Sequence, residues 1–330
     1  MNNFAEHTML DQKLKRVSVC IPARNEAKNI ESLLRLVLTV LDDDSEVIVG
    51  INGCTDNTER IVEGLARSET RLSIVRSAPG KAYAVNALMK ASQNDILLFL
   101  DADVSFEKDT PIALVDFLKS TSYVAACPDM QRTIESSNTL FSKIKKLWYM
   151  PLRVSTEMGL TGAMYTLKKG EFIEALKEKG YSDIPPVINE DHFTHLILED
   201  RARGEKKWSN VPQAVVLFRP PGILDSYKRA KRIAKGDLQL VYEHQSLGLR
   251  MNESKEIPPT GKPETTEERR RRRIQMFREL SFDEKLLLIL MIPVKRIVIS
   301  FVEKLAEHNA IKEYRNKKDM IGWTPTKSDR

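Results

Sequence analysis

The sequence of 330 residues predicts an α/β protein with a doubly wound, mostly parallel sheet and a helical C-terminal extension. Two patterns carry the prediction. From Arg16 to Asp103, short β-branched runs alternate with stretches of helical periodicity, as in parallel strands joined by crossover helices. The runs are apolar at nearly every position, so helices must cover both faces of the sheet. VSVCIPA (Val17 to Ala23) is the first strand, and Lys28 to Leu41 is a helix with Ile30, Leu33, Leu34, Val37, Leu38 and Leu41 on one face. EVIVGIN follows as a strand, and Thr55 is the N-cap of a second helix carrying Ile61, Val62 and Leu65. LSIVRS is the third strand, Lys81 to Ala91 the third helix, and DILLFLDAD closes the series. Ligands of such sheets bind beyond the C-terminal strand ends, where a site is therefore expected.

After Thr110 the rhythm loosens. Expected elements are a helix from Pro111 to Lys119, a strand YVAAC, an amphipathic stretch from Asn138 to Tyr149 and an apolar segment LTGAMYTLKKG. A helix from Glu171 to Lys179, the run NEDHFTHLILED, a strand QAVVLFRP and a basic helix DSYKRAKRIAKG complete the domain. Residues 250–268 are polar and proline-bearing, the composition of a flexible linker. The expected organisation is a main domain over 1–249, with halves 16–110 and 111–249, the linker 250–268 and a helical extension over 269–330.

Lysine and arginine number 52 against 46 acidic residues, a net charge of +6, which suggests anionic, phosphate-bearing partners without calling for nucleic acid. Cys20, Cys54 and Cys127 form no CxxC or Cys/His pattern, so neither a disulfide framework nor a structural zinc site is expected. The N-terminal segment lacks an apolar stretch followed by a small-residue cleavage site. A cytoplasmic location is the expectation.

Asp101-Ala102-Asp103 follows ILLFL directly, so two carboxylates stand just beyond a buried strand. Oxygen donors of this kind hold Mg²⁺ or Mn²⁺, whose remaining coordination positions suit a diphosphate; the bland alternative is a solvated turn. PARNEAKNI places Asn25 and Glu26 at the end of the first strand, and NGCTDNT places Asn52, Thr55 and Asp56 at the end of the second, where plain helix-start turns are the alternative. In PGKAYAVNAL, Gly80 permits a tight turn and Lys81 begins a helix, a place suited to an anion.

The series P-x-x-N-E, N-G-C-T-D-N-T, G-K-x-x-A-x-N and L-D-A-D, with Glu190-Asp191 further on, resembles the family 2 glycosyltransferases of GT-A fold, a Rossmann-like architecture, over Val17 to Gly236. The resemblance implies a nucleotide-sugar donor bound by the 16–110 half, an acceptor bound by the 111–249 half, and usually inversion at the anomeric carbon. By position, Pro22, Ala23, Asn25 and Glu26 would border the nucleoside. Asn52 stands where most members carry an aspartate against the base, which leaves the base open, with uridine preferred. Lys81 would lie near the base or phosphates, Asp101 near the ribose and metal, and Asp103 would ligate Mn²⁺ or Mg²⁺ through this DXD motif. An inverting displacement needs a carboxylate to take the acceptor's proton. Asp191 matches the family's position for it, and adjacent Glu190 is the alternative.

Arg229 and Arg232, one helical turn apart in the basic helix, would face the leaving phosphates; a solvated basic face is the alternative. Ile233 stands where processive members carry tryptophan, so transfer of a single sugar is expected. His192, His195 and His244 are weaker metal-ligand candidates. Gly159 to Tyr165 resembles the family's acceptor-side loop, and Trp148, Tyr149 and Trp208 could stack on sugars or pack in the core.

EERRRRR (Glu267 to Arg273) precedes an apolar stretch broken by Pro293, Lys295 and Arg296, so the expectation is an interfacial helix, a helical hairpin or a dimer contact. Peripheral contact with the inner membrane face through 269–302 would bring the protein to a lipid-linked acceptor; a small-molecule acceptor and a homodimer are alternatives. Two other functions stay open at this point: a nucleotidyltransferase, and a catalytically silent nucleotide-binding scaffold.

Overall fold

The computed structural model describes residues 13–132, 140–149, 160–200, 205–218, 222–244, 247, 278 and 281–315. The linker 250–268 and the arginine run lie outside them. The chain alternates β1 (Val17–Ala23), α1 (Ile30–Val40), β2 (Glu46–Ile51), α2 (Thr58–Ala66), β3 (Leu72–Arg76), α3 (Lys81–Ala91) and β4 (Ile96–Leu100). β5 (Ser105–Phe106), α4 (Asp109–Ser120), β6 (Ala125–Arg132), α5 (Leu140–Tyr149), β7 (Met164–Lys168) and α6 (Lys169–Glu178) follow. Then come α7 (Glu190–Ile197), β8 (Glu199–Asp200), β9 (Glu205–Lys206), β10 (Trp208–Phe218), α8 (Ile223–Glu243) and α9 (Phe282–Arg315).

Eight strands form one sheet in the order β3-β2-β1-β4-β7-β6-β10-β5. The pairs β1–β2, β2–β3, β1–β4 and β6–β10 are parallel; β7 runs antiparallel to both β4 and β6, and β5 antiparallel to β10. One sheet thus joins the two halves, and its winding reverses between β1 and β4. A crevice beyond the C-terminal ends of those two strands is the natural ligand position. Two cores flank the sheet, as the apolar runs require: one gathers α1, α2 and α4 with Val19, Ile21 and Leu98, the other α3, α6, α7 and α8 with Cys20, Ile48 and Phe99.

Three details differ from the sequence expectation. α2 begins at Thr58, whose N–H and hydroxyl both donate to Asp56 Oδ1. Thr55 is therefore no N-cap; its N–H donates instead to Asn25 Oδ1 at 2.8 Å, a long-range contact that outranks the local propensity. β10 starts at Trp208, earlier than expected, because it pairs with β6 along its whole length across a register shift between Val211 and Val215. α9 is one helix passing through Pro293 with no break. Proline removes one amide donor, but Pro293 and the residue four before it, Ile289, are both exposed, so the carbonyl left without its N–H is not sealed from water.

Candidate active site

Side chains from β4, α3 and α7 converge at the switch point. Asp101 follows β4, and its N–H donates to the carbonyl of Ala163 at 2.9 Å. Lys81, first residue of α3, places Nζ 2.8 Å from Asp101 Oδ1 and 3.0 Å from Glu190 Oε1, and donates to the Gly162 carbonyl at 3.4 Å. Burial pulls the Lys81 ammonium toward neutrality, but Asp101, Glu190 and Asp191 overcome it and hold the group well above the usual lysine range. Glu190 is pushed up to about 7 by burial, with Asp191 and Asp101 adding to the rise and Lys81 opposing it. The rise moves its carboxyl toward the range in which an acid–base group works.

Asp191 is held by backbone amides. Oδ2 accepts the Gly162 N–H at 3.0 Å and Oδ1 the His192 N–H at 2.8 Å. A Cβ at position 162 would lie 3.0 Å from both Asp191 Oδ2 and Lys81 Nζ, so the bare glycine is what lets the loop reach both groups. α7 is fixed from behind by α8. Asn189 donates to the Ile233 carbonyl and to Asp237 Oδ1, and His192 Nδ1 stands 3.1 Å from the same oxygen. Gly236 permits the approach, since a Cβ there would fall 2.3 Å from the Asn189 side chain. Tyr165 is buried and stacked on Phe99; burial, reinforced by Glu190, holds its phenol well above the usual range. Gly162 and Tyr165 fall within the acceptor-side loop that the resemblance implies, whereas Gly236 and Asp237 have no motif in the sequence to mark them.

The strand-end motifs shape the loops around the crevice. Pro22 and Ala23 are buried in β1. Asn25 adopts a left-handed conformation (φ 61°) and accepts hydrogen bonds from the Thr55 N–H and hydroxyl, tying the two strand-end loops together. Glu26 is buried; its N–H donates to Thr58 and its carboxylate accepts from Asn29. Asn52 directly follows β2. It is fully buried, its amide donates to Ser77 Oγ and the carbonyls of Ala78 and Gly80, and its Oδ1 accepts the Gly80 N–H. Its evident work is to set the loop before Lys81, where Gly80 takes φ 128°. A groove of about 580 Å³ opens beside that loop at Ser77, Ala78 and Tyr83, and none of the candidate residues lines it.

Asp101 is half-buried and Asp103 exposed. This oxygen-only pair suits Mg²⁺ or Mn²⁺ rather than zinc and leaves most of the shell to water and substrate oxygens. Among the described residues no group of three or more His, Cys, Asp and Glu side chains is placed to hold a metal. The pair therefore fits an ion shared with a bound diphosphate, and the histidines have other neighbours. His195 Nε2 is 3.1 Å from Glu199 with its ring against Trp208, itself buried in the core, and His244 Nδ1 is 3.2 Å from the Tyr181 hydroxyl. On α8, Arg229 is exposed and Arg232 half-buried, while Lys231 and Lys235 both pair with Glu313 of α9. Trp148 is half-buried on α5; Gly159 and the Tyr149 side chain lie outside the described residues.

Residues 18–169 match the family described as Glycosyl transferase family 2. Among curated proteins, the chain is 26% identical over 187 residues to a poly-beta-1,6-N-acetyl-D-glucosamine synthase of Staphylococcus epidermidis, covering 54% of this chain and 45% of that one. It is 33% identical over 117 residues to glycosyltransferase AglD of Haloferax volcanii, covering 33% and 19%. The chain thus spans less than half the length of these relatives. Among solved structures, the mannosyltransferase PcManGT from Pyrobaculum calidifontis, in complex with GDP-Man and Mn²⁺, superposes with a TM-score of 0.57 at 17% identity, covering 94% of this chain and 91% of that one, and shows the shared GT-A fold.

Proposed function

From the match of residues 18–169 to glycosyl transferase family 2, we propose that this chain is a metal-dependent, inverting glycosyltransferase that moves one sugar from a nucleotide-sugar donor to a hydroxyl or amine acceptor. The carrying observation is the convergence of Asp101 and Glu190 on Lys81, with Asp191 oriented beside them by the Gly162 N–H. The donor is a UDP-sugar, a choice resting on resemblance. Pro22, Ala23, Asn25, Glu26 and Asn52 shape the nucleoside side of the crevice, and Arg229 and Arg232 serve the phosphates.

Asp101 and Asp103 would hold Mn²⁺ or Mg²⁺, which supplies positive charge to the diphosphate when bound. Asp191 acts as general base. As the acceptor oxygen attacks the anomeric carbon, its proton passes to the Asp191 carboxylate, while the bond from that carbon to the diphosphate breaks on the opposite face. The two amides on Asp191 fix the carboxylate's direction, and Lys81 keeps Asp101 and Glu190 from repelling each other. Glu190, poised near neutrality, is the alternative base. Work in the cytoplasm is supported by three free cysteines, two of them buried.

The test is thermal stabilisation by uridine and guanosine diphosphates and their sugars, with and without Mn²⁺, on wild type and Asp103→Ala. A ligand that binds only the native state raises its melting temperature. Stabilisation by one base family that needs Mn²⁺ and disappears in Asp103→Ala is expected; no shift with any nucleotide would contradict the reading.

A further inference from the structure

α9 carries apolar residues on both its protein-facing and its outer side. Its protein-facing side carries Leu288, Lys295, Ala306 and Ala310, all buried, with Lys295 Nζ donating to the Leu147 carbonyl of α5. On the opposite side Phe282 (85% exposed), Leu286, Leu290 (64%), Val294, Ile297 (70%) and Phe301 (65%) form a stripe at three- and four-residue spacing. At 1.5 Å per residue the stripe runs roughly 30 Å. So long an exposed apolar face exceeds the scattered apolar residues of ordinary protein surfaces and marks an interaction site.

We propose that this face docks on an anionic lipid surface, with α9 lying in the plane of the interface. Among the described residues no helix is long and apolar enough to cross a membrane, so α9 lies on the bilayer and does not span it. Charge selects lipid over a second copy of the chain. Arg278, Arg296, Lys304 and Lys312 are exposed on or near the helix, and the sequence sets five arginines, Arg269 to Arg273, just upstream. Over residues 269–315 the sequence carries 12 basic side chains against six acidic ones, and of the acids Asp283 is paired with Lys143 and Glu313 with Lys231 and Lys235. Anionic headgroups complement such a border, whereas a twofold dimer would set like charges against each other.

The docked helix is linked to the site. Glu313 pairs with Lys231 and Lys235 of α8, Asn309 donates to the Tyr227 hydroxyl, and α8 in turn holds Asn189 and His192 at the start of α7. Docking through α9 therefore sets the acceptor half next to the bilayer, and the acceptor class is lipid-linked. That last clause alone rests on the glycosyltransferase reading.

The test is co-flotation of the full chain with vesicles of phosphatidylcholine alone or mixed with phosphatidylglycerol, for wild type, Ile297→Glu and the double variant Leu290→Glu/Ile297→Glu. Both positions are exposed, so melting temperatures and nucleotide-dependent stabilisation should match wild type. Wild type is expected to float with the anionic vesicles and to be released by salt, with about a tenfold loss in Ile297→Glu and more in the double variant. Absence of flotation, or equal flotation of all three proteins, would overturn the proposal. So would a wild-type dimer in analytical ultracentrifugation that Ile297→Glu splits, which would assign the face to a second copy. Flotation without nucleotide binding would leave docking standing and remove only the lipid-linked acceptor.

Discussion

Asp101 and Asp191 face the same crevice but are held in different ways. Asp101 sits at the end of a buried strand, and Lys81 reaches it across one β–α–β unit. Asp191 hangs from the first turn of an eight-residue helix whose position depends on Gly162, 29 residues earlier, and on Asp237, 46 residues later. The donor side of the site is thus built mainly from local chain order, tied across by the Asp101 N–H to Ala163, and the acceptor side from long-range contacts. Substitutions in the two regions should fail differently.

The largest effect is expected where the regions meet. Lys81→Met leaves Asp101, Glu190 and Asp191 without their cation, and loss of one partner from a buried pair costs about 3–5 kcal/mol. Denaturant melts should show that loss together with absent nucleotide binding. Unchanged stability would mean the cluster is solvated.

Gly236→Ala probes the seating of α7 against α8, behind Asp191. A Cβ overlapping Asn189 outweighs alanine's helical advantage, and overpacking of this kind costs about 1–3 kcal/mol. Transfer should slow while donor binding stays intact. Weakened donor binding in that variant would erase the distinction between the two regions.

A smaller effect concerns pH. The folded-state value for Glu190, about 7, lies above the ordinary glutamate value of 4.5, so the native state holds a proton that the unfolded chain releases between those limits. Its contribution is complete below about 4.5 and lost as pH rises through about 7. Glu190→Gln should flatten the decline of melting temperature over that window, and parallel wild-type and variant curves would contradict the assignment.

The same contrast decides what could be read from the sequence. Apolar runs and helical spacing located β1 to β4 and α1 to α3, since those elements are fixed by local pattern, and Asp101, Asp103 and Lys81 stood out by standing at their ends. Gly162 was legible only as part of an acceptor-side loop, and Gly236 and Asp237 gave no signal, because their importance comes from what the fold brings against them. Thr55 misled for the same reason: a local capping preference lost to the bond its N–H donates to Asn25 Oδ1. Along α9 an interfacial or dimer-forming role was legible from the apolar residues, yet which of them face outward was not, because periodicity does not say which side a neighbour covers.

The most direct measurement is release of nucleoside diphosphate from the donor that stabilises the protein, compared between wild type and Asp191→Asn with Mn²⁺ present. If Asp191 takes the acceptor's proton, the variant should bind donor as wild type does and release product about 10²–10⁴-fold more slowly. Equal rates in the two proteins would contradict that role and pass it to Glu190; tight binding with no release even in wild type would mark a nucleotide-binding protein that is not an enzyme.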